Sequence, residues 1–278
     1  MNLHTTFRVG GAADVFAIPK NENELQILVK YCVENCWSWF VLGKGSNLLV
    51  ADEGFRGVVI SLLEINQMHL TADGEINAGA GVSMKDLAEF AQHHGIAGFE
   101  FAHGIPGSVG GGVFMNAGAY EGEMKDIFVS ARCVDAKGDF FDVDAEEMSL
   151  GYRKSAAQSR GLVIASATFR GRAGDKGEIA DRMADLQAKR EEKQPLDMAS
   201  AGSTFKRPEG HFAGKLIMDA GLRGFSIGGA QVSEKHCGFI VNKGGATAGD
   251  VLTLIKHVQN VVQEKFGVTL ETEVKVIP

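Results

Sequence analysis

The segment 103-HGIPGSVGGGVFMNAGAY-120 limits the possible folds more than any other. Seven glycines fall from Gly104 to Gly122, and no charge lies between Gly104 and Tyr120. Surface loops are usually charged, and buried strands are rich in Val and Ile; this stretch is neither. A backbone this bare can take positive φ and lie close against another group. Glycine is abundant overall, with 36 residues against 5 prolines. A second glycine-rich loop, 42-LGKGSN-47, sits between two apolar runs. It lacks GxxxxGK[ST], and Leu48 stands where GxGxxG needs its third glycine. Two readings stay open. The loops are tight turns packed on a sheet, or they form a neutral wall. Backbone N–H groups of such a wall would cradle a diphosphate, and its bareness would suit a flavin ring.

The rest of the chain reads as mixed helices and strands without regular βαβ alternation, an α+β pattern. The run 22-ENELQILVKYCVENC-36 spaces Leu25, Leu28, Val29, Cys32 and Val33 as a helix would. Another amphipathic helix, 84-MKDLAEFAQHHG-95, stops at Gly95. Residues 176–195 are charge-dense, with one apolar stripe at Ile179, Met183 and Leu186, ending before Pro195. The composition shift near residue 171 predicts two domains, 1–171 and 172–278. The helix 248-AGDVLTLIKHVQNVVQEKFG-267 and the alternating run 268-VTLETEVKVIP-278 close the chain. The opening MNLHTTFRVGG, with Phe7 already strand-like, reads as a chain whose leading segment is missing.

The net charge of −7 and the lack of a Lys/Arg run argue against nucleic acid as a partner. No apolar run of about 18 residues exists, so no membrane helix is expected, and the protein reads as cytoplasmic. The four cysteines form no CxxC pair and read as buried free thiols, Cys32 and Cys36 on one helix face. No metal site is expected: HExxH is absent, and His93 and His94 point to different helix faces. Three patches, 151-GYRKS-155, 200-SAGSTFKRP-208 and 231-QVSEKHCGFIVN-242, read by composition as turns with solvated charges.

Taken in order, TTFRVGG, LGKGSNLLV, GIPGSVGG with MNAGAY, YRKS, KQPLD, AGSTFKRP, AGKLI and LETEVKVI resemble the UDP-N-acetylenolpyruvoylglucosamine reductase (MurB) family, in its shorter subtype. The stretches span nearly the whole chain. His4, Ala12 and Pro278 depart from the family pattern and touch none of the proposed catalytic positions. The resemblance implies a two-lobed FAD-binding domain of the vanillyl-alcohol-oxidase (PCMH) type, then a MurB-type α+β substrate domain. It implies that NADPH reduces FAD, and that the flavin passes hydride to an enolpyruvyl UDP-sugar. Ser203 would donate the proton, with Arg153 and Glu273 steadying the charged intermediate. Glu271 and Glu273 share a strand face by parity; only the family pattern picks Glu273. The cofactor wall would comprise Gly43, Lys44, Gly45, Ser46, Asn47 and Leu48 with Gly104, Ile105, Pro106, Gly107, Ser108, Gly110, Gly111 and Asn116. Arg190, Lys193, Arg207 and Lys215 would hold the UDP-sugar. The partners implied are small molecules, and a monomer is expected. Competing readings are another flavoenzyme of the same fold, or a nucleotide-sugar-binding protein without turnover.

Overall fold

Alternating apolar residues in the middle of the chain build a five-stranded antiparallel sheet in the order Phe140–Asp144, Phe128–Val134, Val163–Phe169, Ile76–Gly79, Met68–Leu70. Ala131 faces Val143 on one neighbour and Ala167 on the other, and Ala167 faces Ala78. All four are buried and share a core with Leu87 and Ala91 of the helix Met84–His93 and with Val109 and Val113 of the helix Val109–Phe114. A second cluster joins Val134, Val163 and Ala165 to Leu25, Val29 and Cys32 of the helix Glu22–Glu34. The structure, a computed structural model, describes residues 1–120 and 122–278.

Local chemistry sets the helix ends. Asn21 caps the first helix by accepting from the Glu24 N–H at 2.9 Å, and Ser83 does the same for Asp86. Val33 falls off the stripe of Leu25, Val29 and Cys32 and is exposed, against expectation. Cys36 lies beyond the last helical turn at φ +54, so it neither shares the face of Cys32 nor is buried. The other three cysteines are buried, and all four are free thiols.

A four-stranded antiparallel sheet follows later in the chain: Ala199–Ser203, Phe239–Asn242, Ala230–Val232, Ser226–Ile227. Against it lie the helices Ala213–Asp219 and Ala248–Phe266, the latter burying Val251, Leu254, Ile255, Val258 and Val262. Thr247 and Asp250 form a capping box at the start of the long helix. Asp52 adds two acceptors there, for Ala248 N at 2.7 Å and Gly249 N at 2.9 Å. The closing alternation gives only a short strand, Lys275–Ile277, which pairs in parallel with Leu48–Val50. The residues before it stay extended, bridged at Thr272 to Phe205.

That parallel pairing explains how the chain divides. One compact unit is 15–44 with 57–190; the other is 1–14, 45–56 and 191–278. Neither is a continuous stretch, unlike the single cut predicted at residue 171. The helix Lys176–Lys193 has its buried stripe at Ile179, Met183 and Leu186, and its residues through Arg190 belong to the first unit.

Candidate functional site

In the unit holding the five-stranded sheet, the two glycine loops meet. A Cβ on Gly43 would lie 2.2 Å from Ser108 Oγ, so only glycine allows the approach. Ser108 is buried at the start of the short helix Val109–Phe114 and makes no side-chain cap bond. Gly111, one turn on, is exposed, and a Cβ there would have only Ser108 Oγ within 4 Å. The result is a neutral, open wall. The amides of Val109 and Gly110 do not belong to it, because they donate to the carbonyls of Val82 (2.8 Å) and Ala80 (2.9 Å). Gly110 is required for packing: a Cβ would fall 2.8 Å from that of Ala80.

Arg190 flanks this wall. Its Cδ would be 3.0 Å from a Cβ on Gly104. Its Nε is buried with no hydrogen-bond partner, and burial draws its pKa below the ordinary arginine value. A buried polar group left unpaired costs on the order of 1–3 kcal/mol, more when charged. An anion or carbonyl from a bound group would relieve that cost. A bare glycine approach beside an arginine with an unpartnered, buried Nε therefore fits a flavin nucleotide, with Gly43, Ser108, Gly111 and Arg190 as the residues to hold it. Gly104, Ile105, Pro106 and Gly107 complete the same segment, and Lys44 follows Gly43.

Asn116 is different from the sequence expectation. Its side chain is 0% exposed, and its amide is taken by the protein. Nδ2 donates to Glu123 Oε2 and to the Gly151 carbonyl, both at 3.0 Å, and Oδ1 accepts from Lys125 N at 2.9 Å. Both N–H donors of that amide are used within the protein, and its oxygen is held by the Lys125 N–H. It ties the MNAGAY segment to the turn 151-GYRKS-155, whose Arg153 returns the contact. Arg153 donates to the carbonyls of Asn116 (3.4 Å) and Gly118 (3.3 Å). Asn116, Tyr120 and Arg153 all have positive φ (42°, 58° and 55°), a strained conformation for side chains of this kind.

The other unit carries Ser203 and Glu273. Ser203 ends the strand Ala199–Ser203 just past a bulge at Gly202 (φ +73) and is exposed. Glu273 N donates to Thr204 O at 2.8 Å, which places the two residues on neighbouring extended segments. Asn47 Nδ2 donates to the Glu273 carbonyl at 3.1 Å, so this residue of the first glycine loop also braces that segment. In the same unit, Gly45 (φ +61) comes so close to the His4 carbonyl that a Cβ would be 2.3 Å away. Ser46 and Leu48 continue the loop into the strand Leu48–Val50. Glu271 is occupied by an ion pair with Lys206 at 3.0 Å.

The cations assigned to the UDP-sugar are divided between the two units. Arg190 belongs to the first unit; Lys193, Arg207 and Lys215 belong to the second. Lys193 is exposed. Arg207 stacks over Phe212 at 3.9 Å and donates from Nε to the His211 carbonyl at 3.3 Å. Lys215 is paired with Asp219 at 2.7 Å. Sequence reasoning missed His236, which composition placed in a solvated turn. It is half-buried, with Nδ1 accepting from Gly238 N at 3.1 Å. Its spacing from Gly238 is the one signal that could have pointed to it.

Comparison with known proteins defines the class first. Residues 13–144 match the family described as FAD binding domain, so this is a FAD-binding flavoprotein of α+β fold. Residues 194–277 match the C-terminal domain of UDP-N-acetylenolpyruvoylglucosamine reductase. A reductase of that name from Clostridium perfringens SM101 is 51% identical over all of this chain and 91% of its own. One from Lachnoclostridium phytofermentans is 48% identical with the same coverage. The crystal structure of the Thermus caldophilus reductase superposes with a TM-score of 0.86 at 37% identity, covering 100% of this chain and 97% of that one. The chain belongs to the UDP-N-acetylenolpyruvoylglucosamine reductase family and is an oxidoreductase.

Proposed function

We propose that the protein reduces UDP-N-acetylglucosamine enolpyruvate to UDP-N-acetylmuramate with NADPH, a step of peptidoglycan precursor synthesis in the cytoplasm. The observation that carries this reading is the Glu273 N–H bond to Thr204 O, which sets Glu273 beside the exposed Ser203. When bound, FAD carries reducing equivalents from NADPH to the substrate.

The chain's own residues do the rest. Ser203 Oγ–H donates a proton to the electron pair left on the carbon next to the substrate carboxylate. Serine is a poor acid, so this works only with a strongly basic centre and a fixed hydroxyl. Arg153, its guanidinium held by two backbone carbonyls, stabilises the charge that gathers on that carboxylate. The Glu273 carboxyl shares a proton with the same group. Arg190, lying against Gly104, serves the cofactor rather than the substrate, whereas Lys193, Arg207 and Lys215 remain for the UDP-sugar. No helix among the described residues is long and apolar enough to cross a membrane.

The test is spectroscopic. The purified protein is expected to be yellow, to bleach with NADPH without oxygen, and to regain colour on adding the enolpyruvyl UDP-sugar. Bleaching without that recovery would point to a different substrate, and a colourless protein that takes up no FAD would refute the reading.

A further inference from the structure

The strands Ala230–Val232 and Phe239–Asn242 are joined by a turn that is pinned by its own side chains. Buried Ser233 accepts at Oγ from Lys235 N (3.2 Å) and His236 N (3.3 Å). His236 then takes two consecutive amides: Nδ1 accepts from Gly238 N at 3.1 Å, and its carbonyl accepts from Phe239 N at 2.9 Å. A peptide is planar and trans, so with the Phe239 N–H turned back to His236, the Gly238 carbonyl points away. There it accepts the Thr204 N–H at 2.9 Å. Thr204 Oγ1 accepts from Ile240 N at 3.0 Å, and Ser203 lies opposite Phe239.

The imidazole has little freedom. A Cβ on Gly238 would be 2.9 Å from its Cε1, and one on Gly214, in the helix Ala213–Asp219, would be 3.2 Å away. The Phe239 ring meets it edge-on at 5.0 Å. Because Nδ1 accepts, the neutral ring carries its proton on Nε2. Burial lowers its pKa, which favours that neutral form.

We infer that His236 is a positioning residue for Ser203: its imidazole holds the Gly238 amide while its own carbonyl holds the Phe239 amide, and together they fix the Gly238 residue whose carbonyl takes the Thr204 N–H, and with it the hydroxyl next door. This rests on Ser203 being the proton donor. Composition gave no reason for a histidine here; the bonding requires an acceptor at the Nδ1 position. Asparagine can supply one, because its Oδ1 readily accepts from the amide two residues on. Leucine has no acceptor, and glutamine carries its oxygen one bond too far out for the Nδ1 position.

The experiment compares His236→Asn, His236→Gln and His236→Leu with wild type in two readouts. The first is single-turnover bleaching by NADPH and reoxidation by the enolpyruvyl UDP-sugar. The second is hydrogen exchange at the Gly238 and Thr204 amides, read by NMR with no substrate present. Reoxidation is expected to slow about 10- to 100-fold in the Gln and Leu variants and to stay within about threefold of wild type in the Asn variant, with bleaching unchanged in all. Exchange at both amides should accelerate in Gln and Leu and remain protected in Asn. The proposal is overturned if Asn behaves as Leu does, or if the Gln and Leu variants keep both amides protected. Ser203→Ala separates the two ideas: should it reoxidise at the wild-type rate, the proton-donor role fails, while the exchange data still decide whether His236 holds the turn.

Discussion

Glu271 and Glu273 have the same strand parity but different neighbours. The first is ion-paired with Lys206; the second is braced through its backbone by Thr204 and Asn47 next to Ser203. Glu273→Gln is therefore expected to slow substrate-driven reoxidation far more than Glu271→Gln, and equal mild effects in stopped flow would refute the assignment. Ser203→Ala should leave bleaching intact and slow reoxidation about 10²–10⁴-fold. Asn116 makes a prediction of another kind. Its replacement by Asp removes two donors and sets a carboxylate against Glu123. Urea denaturation should show a loss of about 1–3 kcal/mol, with reoxidation impaired through Arg153. None of this was readable from spacing, because Arg153, Ser203 and Glu273 are brought to their places by bonds to backbone distant in sequence.

At the scale of elements, the sequence was informative where periodicity decides. Helices near 22–34, 84–93, 176–193 and 248–266 follow from their apolar stripes and caps. The meaning of the glycines did not follow. Of the glycines in the segment 104–111 only Gly111 is exposed, while Gly110 is there for Ala80 and its amide is used internally. Gly110→Ala should consequently reduce both thermal stability and FAD retention, whereas a Gly111→Ala protein should stay nearly as stable. Comparable melting temperatures for the two variants would contradict the packing account. The long helix offers a simpler check. Asp52 is its distant cap, invisible to any local pattern, and Asp52→Ala should cost about 0.5–2 kcal/mol in urea unfolding.

For the molecule as a whole, composition placed a boundary at residue 171 because the charge density changes there. Contacts ignore that change. Ile179 and Met183, beyond it, belong to the core of the five-stranded sheet, and Leu49, well before it, lies in the core of the other unit. A fragment ending at residue 171 should for this reason fail to give a cooperative melt or dispersed NMR spectrum. A well-folded fragment would contradict the assignment of Ile179 and Met183 to the core of the five-stranded sheet.

The pairing of Leu48–Val50 with Lys275–Ile277 also bears on how the protein is made. Chains are built from the N-terminus and tend to fold as they emerge. The second half of the first glycine loop leaves the ribosome early, but the strand that fixes it is among the last stretches to appear. Until then Gly45, Ser46 and Asn47 have no partner strand beside them. If this half of the loop helps to hold the flavin, cofactor capture waits for the end of synthesis, and a nascent chain stalled short of residue 275 should emerge without colour.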